Sequence, residues 1–248
     1  LDSAVKEQAA FEKPKEISFP YPIASSESFT DNTYLSYNTV VGNVLDKELY
    51  LAFEVLEYAL LNAPGAPLKK ALIDAGIGKD IMGSYDNGIY QPIFSIIAKN
   101  ANEEQKEEFL SVIRNVLEDC VKNGISKKSL LAGINSMEFK FREADFGAYP
   151  KGLMYGLQCL DSWIYDEKEP FMHIEAIETY AFLKEQTKGR YFEELVQKYL
   201  LDNTHVSVVI TKPQKGLNAE NEKALEEKLA AYKATLSKEE IDLSLIHI

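Results

Sequence analysis

Three short runs rich in β-branched and aromatic residues, at 33–41 (TYLSYNTVV), 89–98 (IYQPIFSIIA) and 206–211 (VSVVIT), are separated by long stretches in which apolar residues recur every three or four positions. That alternation limits the fold more than any other feature. A period of two makes a half-buried strand and a period near 3.6 makes an amphipathic helix, and helices interleaved with strands must pack on a sheet. The expected class is α/β (α+β), with helices on a mainly antiparallel or mixed sheet.

Within this frame, Leu49, Phe53, Leu56 and Leu60 define one helix that stops before Asn62-Ala63-Pro64-Gly65. Pro67 suits the first turn of the next helix, and Gly76 its end. Asn102 with Gln105 reads as a capping arrangement ahead of a helix whose stripe is Phe109, Ile113, Val116 and Cys120. Ser126 caps a second long helix carrying Leu130, Ile134, Met137 and Phe141. After a break at 145–152, helical pattern resumes through Trp163 and again near 174–185 and 191–201. Pro213 is expected to end the last strand.

The flanks read differently. Residues 1–30 hold Pro14, Pro20 and Pro22 and are expected to form an irregular linker into a domain spanning 31–213. Residues 214–242 begin a helical hairpin, with Leu225, Leu229, Tyr232 and Leu236 on one face and a capping box at Ser237 and Glu240. At 243–248 the charged pattern turns apolar (LSLIHI) and matches a translated sequencing adapter, so these six residues are expected to be a non-native tail. The chain opens at Leu1 without methionine, as a piece of a longer protein would.

A net charge of −12 argues against a nucleic-acid or anionic-membrane surface, which needs clustered Lys and Arg. No run approaches the ~20 apolar residues of a membrane span. Cys120 and Cys159 lie in apolar helical patterns without metal-ligand spacing, which is expected of reduced core thiols and favours a cytoplasmic location.

Catalytic motifs do not assemble. Zinc peptidases need two histidines and a glutamate on one helix, and neither H-E-x-x-H nor H-x-x-E-H occurs. His173 and His205 are expected to be surface or capping residues. His173-Ile174-Glu175 has the H-x-E form of zinc deaminases but lacks the following cysteines. There is no phosphate-binding loop, and no G-x-S-x-G elbow accompanies a nucleophile. Carboxylate pairs such as Glu103-Glu104 and Glu226-Glu227 fall on solvated helix backs. No catalytic or metal-binding residue is assigned.

The order of segments nevertheless resembles a known family, the presequence-protease branch of the pitrilysin/insulinase zinc peptidases. The resemblance is carried by NAPGAPLKKALIDAGIGKDIMG at 62–83, QPIFSIIAKN at 91–100, NSMEFKFREADFGAYPKGL at 135–153, WIYD at 163–166, YLLDNTHVSVVITKP at 199–213 and EKALEEKLAAYKATLSKEE at 222–240. It implies four related α/β domains closing over a peptide chamber, with zinc bound by a domain that this chain does not contain. This chain would be the second, non-catalytic domain with the start of the hairpin linker. Its partners would be unfolded peptide substrates and the missing catalytic and C-terminal domains. A structural or peptide-binding domain of the same fold is the alternative.

The resemblance further implies a substrate exosite at Ile81, Met82, Gly83 and Ser84, with Ile93, Phe94 and Ser95 on the adjoining strand. The residues themselves suggest how such a site could work. Pro92 favours a sheet edge, and Gly76, Gly78, Gly83 and Gly88 leave room for a peptide added as an extra strand.

Overall fold

The computed structural model describes residues 4–246. Among them the elements run β1 (Lys15–Ile23), β2 (Thr33–Val40), α1 (Lys47–Glu57), α2 (Pro67–Asp74), β3 (Asp80–Asp86), β4 (Ile93–Ala101), α3 (Lys106–Asn123), α4 (Lys127–Glu143), α5 (Lys151–Trp163), α6 (Ile177–Gln186), α7 (Tyr191–Val196), β5 (Val206–Lys215), α8 (Leu217–Lys233) and α9 (Lys238–Ile246). The strands form one sheet in the order β1-β5-β2-β4-β3, parallel at β1/β5 and antiparallel elsewhere. This is the mixed sheet with packed helices that the alternation implies.

Alternate residues of β2, β3, β4 and β5 feed the interior, whereas β1 buries only Ile23. Leu35 from β2, Phe94, Ile96 and Ala98 from β4, Val206, Val208 and Ile210 from β5, and Ile81 from β3 are all buried. They meet α1, where Phe53 touches the rings of Phe94, Tyr85 and Tyr199 at 5.7, 5.8 and 5.7 Å. Both α1 and α7 end in a π-helical turn, Tyr58–Asn62 and Gln197–Leu201. The second turn is tied to β2 because Tyr37 Oη donates to Leu200 O (2.9 Å) and Thr39 Oγ1 to Tyr199 O (2.9 Å). The expected cap is present at Ser126, Asn102 with Gln105 forms a full capping box, and Asp46 caps α1 by accepting from Leu49 N.

Four expectations need correction. Residues 15–23 form β1, an edge strand, rather than an irregular linker. Pro20 and Pro22 are two apart, so their missing N–H groups point to the same side, and an edge strand tolerates that if the side is the solvent one. Pro213 does not end β5: it pairs with Tyr21 of β1, beyond the last β2 partner, Thr211. Pro92 precedes β4, which is internal, and its carbonyl accepts from Val41 N (2.8 Å). The free edge belongs instead to β3, whose interrupted pattern of Asp80, Gly83 and Asp86 hides a strand. Finally, His173 and His205 are buried, not superficial.

Residues 7–11 cross the strand ends as an extended strap. The Gln91 amide holds both backbone atoms of Gln8, accepting from N (2.7 Å) and donating to O (3.1 Å). Thr204 Oγ1 donates to Phe11 O at 2.6 Å, and the Phe11 ring stands edge-on to His205.

At the other terminus, α8 and α9 begin the helical hairpin. Ser237 and Glu240 make the reciprocal cap, while Leu225, Leu229 and Tyr232 remain exposed. The backbone of 243–246 continues α9; of the six residues expected to be non-native, His247 and Ile248 lie outside the described residues.

Candidate functional site

The seven residues singled out from the sequence divide between the two faces of the β3–β4 pair. Ile81 and Phe94 point into the helix layer and are buried. Gly83 is on that side too, where its missing side chain makes room for Leu61 and Glu57 of the α1 end. Its absence of bulk therefore serves internal packing and not the approach of a peptide. Met82, Ser84, Ile93 and Ser95 lie on the opposite face, where Ser84 pairs with Ser95.

That face carries no helix layer comparable to the one on the other side, and its residues align in rows across the strands. Register places Ser84, Ser95, Asn38, Ser207 and Lys15 side by side from edge to edge. The next row is Met82, Ile97, Ser36, Val209 and Ile17. Asn38 Nδ2 donates to Ser36 Oγ (3.1 Å) and to Ser207 O (3.2 Å), which fixes the middle of the polar row. The result is a shallow band of hydroxyl and amide groups beside an apolar band, bounded on one side by the free edge of β3. Such a surface can hold an extended chain by main-chain hydrogen bonds while accepting varied side chains. Ile97, Asn38, Ser36 and Val209 escape sequence reading because their proximity to Met82 depends on strand order.

Behind β3, on the helix side, is a polar network the sequence did not reveal. Glu54 of α1 accepts from Asn87 Nδ2 at 2.8 Å, and Tyr50 Oη donates to Asp161 Oδ2 at 3.1 Å. His173 stacks on Tyr50 with centroids 3.9 Å apart, and its Nε2 is buried without a hydrogen-bond partner. Burial pushes the Glu54 carboxyl up to about 7, with Glu57 and Asp161 adding to the rise and the Asn87 hydrogen bond opposing it. Burial likewise raises Asp161 and depresses His173 to about 4. Burial also raises the Cys120 thiol to about 11, which keeps it protonated and unreactive.

The model of the peptidase M16 inactive domain matches residues 4–137. The chain belongs to this family. Among relatives of the inactive domain, a Clostridium perfringens protein called Protein HypA is 45% identical over 233 residues, covering 94% of this chain and 24% of that protein. Presequence protease 1, chloroplastic/mitochondrial, of Arabidopsis thaliana is 27% identical over 245 residues, covering 96% of this chain and 23% of that protein. The M16 inactive domain of Pseudomonas fluorescens superposes with a TM-score of 0.55 at 15% identity, covering 85% of this chain and 46% of that one, and shows the shared fold. The chain thus spans about a quarter of the length of the curated relatives it matches. The resemblance to pitrilysin/insulinase-type peptidases read from the sequence is borne out.

Zinc is the metal of M16 peptidases in general, and the residues of this inactive domain do not fit it. His173 and His205 sit on separate segments, one stacked on Tyr50 and the other against Phe11. Among the described residues no three His, Cys, Asp or Glu side chains are grouped to hold a metal ion. Among them, too, no helix is long and apolar enough to cross a membrane.

Proposed function

We propose that this chain is the non-catalytic domain of a zinc-dependent peptidase and that its open sheet face forms part of the wall enclosing the peptide substrate. The observation that carries this reading is the one-sided sheet. Helices cover one face, while the other presents a hydroxyl row, an adjacent apolar row and an unpaired β3 edge. The chemistry of hydrolysis belongs to another domain, which would bind the zinc. This domain supplies enclosure and main-chain contact.

The acidic balance of the chain, −12 overall, adds a long-range attraction for basic unfolded peptides. Titrating the isotope-labelled chain with a long basic unfolded peptide tests the reading. Amide shifts should concentrate at Met82, Ser84, Ile93, Ser95 and Ile97. Shifts confined to the helix layer, or none at millimolar peptide, would reject the wall assignment.

A further inference from the structure

Helix α5 carries an apolar stripe on its solvent side. Leu153, Leu157, Leu160 and Ile164 recur at helical spacing on one face with Trp163 beside them, and all five are between 41% and 61% exposed. Only Ser162 of the thirteen residues of α5 is buried. The side facing the domain is mixed: Met154, Tyr155 and Cys159 are half-buried there together with polar groups. Asp161 accepts from Tyr50 Oη, Ser162 Oγ donates to Glu169 O (2.5 Å), and Gln158 Oε1 is buried without a partner. A helix in water ordinarily turns such a stripe inward, because apolar surface left in solvent forfeits roughly 25 cal/mol per Å² of burial.

From this we infer that the outer face of α5 is a docking surface for an uncharged, apolar helix contributed by another part of a longer polypeptide. The inference rests on reading the chain as one domain of an M16-type protein. The relatives support that occupant: they carry some three-quarters of their length outside the matched region, enough to supply several further domains. Gly152 and Gly156 lie on the same exposed face with nothing within 4 Å of where a Cβ would stand, so a partner backbone can approach closely there. A bilayer is a poor occupant for a chain of net charge −12.

The position also matters. Asp161 lies by Gly88 in the β3–β4 loop, and Tyr165 just beyond α5 packs on Tyr90 at 4.8 Å. A partner seated on α5 therefore stands next to the loop that joins β3 to β4, on the helix side of the sheet.

Cysteine protection tests this. Leu157→Cys, with Cys159→Ala, is placed in this chain and in the C. perfringens relative carrying this chain in place of the quarter it matches. Maleimide labelling of the α5 peptide is followed by mass spectrometry. Labelling should be at least roughly tenfold slower in the longer protein, as a buried interface demands. Equal rates in a folded longer protein would overturn the proposal. So would slow labelling in this chain alone with a doubled mass, which would make a second copy the occupant.

Should the longer protein not fold, Leu157→Gln with Leu160→Gln in this chain decides. An unchanged unfolding midpoint with reduced binding of an apolar dye supports a solvent-facing docking surface. A large loss of stability would show that the stripe is already core. Peptide hydrolysis by the longer protein reports separately on the peptidase reading, so either idea can fail without the other.

Discussion

Gly83 is pressed against Leu61: a Cβ added to Gly83 would stand 2.7 Å from Leu61 Cδ1 and 3.1 Å from Leu61 Cβ. The Leu61 side chain, from the π-helical end of α1, occupies the space that a side chain at Gly83 would need. Gly83→Ala should cost about 1–3 kcal/mol through overpacking, and Gly83→Val more. Combining Gly83→Ala with Leu61→Ala should recover part of that cost, measured by urea unfolding. Strict additivity of the two losses would mean that they do not share this contact.

The division of the β3–β4 pair into two faces predicts two classes of variant. Ile81→Ala and Phe94→Ala should each destabilise by about 2–5 kcal/mol, since both leave cavities in the core. Met82→Ser and Ser95→Ala should stay within about 0.5 kcal/mol of the parent. Met82→Asp should additionally reduce the shifts induced by an apolar unfolded peptide. Denaturant midpoints and amide shifts on the same samples separate folding from binding.

Glu54 and His173 should give opposing pH slopes. The folded pKa of Glu54, about 7, exceeds its unfolded value, so its contribution is complete in acid and is lost as pH rises toward 7. His173 is depressed to about 4, so its contribution is present above the unfolded value near 6.5 and is lost as pH falls toward 4. Between roughly pH 4.5 and 6.5 the two should largely cancel. Glu54→Gln should leave a stability that climbs with pH by roughly 1–3 kcal/mol across that window, and His173→Gln one that falls. Urea unfolding at half-unit pH intervals reads both slopes, and two flat profiles would refute the assignment.

Removing residues 4–23 should destabilise the chain and promote self-association, because β5 would lose β1 and present a raw edge. Light scattering and thermal unfolding of a chain starting at residue 24 provide the measurement. A monomer of unchanged stability would mean that β1 is dispensable.

The purified chain should hold no stoichiometric zinc and cleave no peptide, given its scattered histidines. Elemental analysis with a peptide digestion assay decides it. One zinc per chain together with chelator-sensitive cleavage would contradict the non-catalytic reading.

Local pattern made β2, β4, the long helices and their caps readable, because each depends on neighbours a few residues away. Asn102 and Ser126 act within one turn. What stayed hidden depends on pairing across the sheet. β1 looked irregular because Pro20 and Pro22 are tolerable only on an edge, and nothing local says where the edge is. β3 was concealed by Gly83, whose role is set by Leu61, and Pro92 suggested an edge that is one strand away. Of the candidate site, the neighbourhood was legible through family resemblance, but its split into two faces was not. Ile81 and Met82 are adjacent in sequence, and only the covering helices decide which of them meets solvent.

The parallel pairing of β1 with β5 also sets an order of events during synthesis. Ile17 is made first, and its partner Val209 follows 192 residues later, roughly 10–40 s at ordinary elongation rates. Through that interval the segment carrying Ile17 and Phe19 has no native strand beside it and is open to pairing with nascent neighbours. Pro20 and Pro22 cannot donate to such a ladder, so the residues that disguise β1 as a linker also guard the newborn chain while it waits.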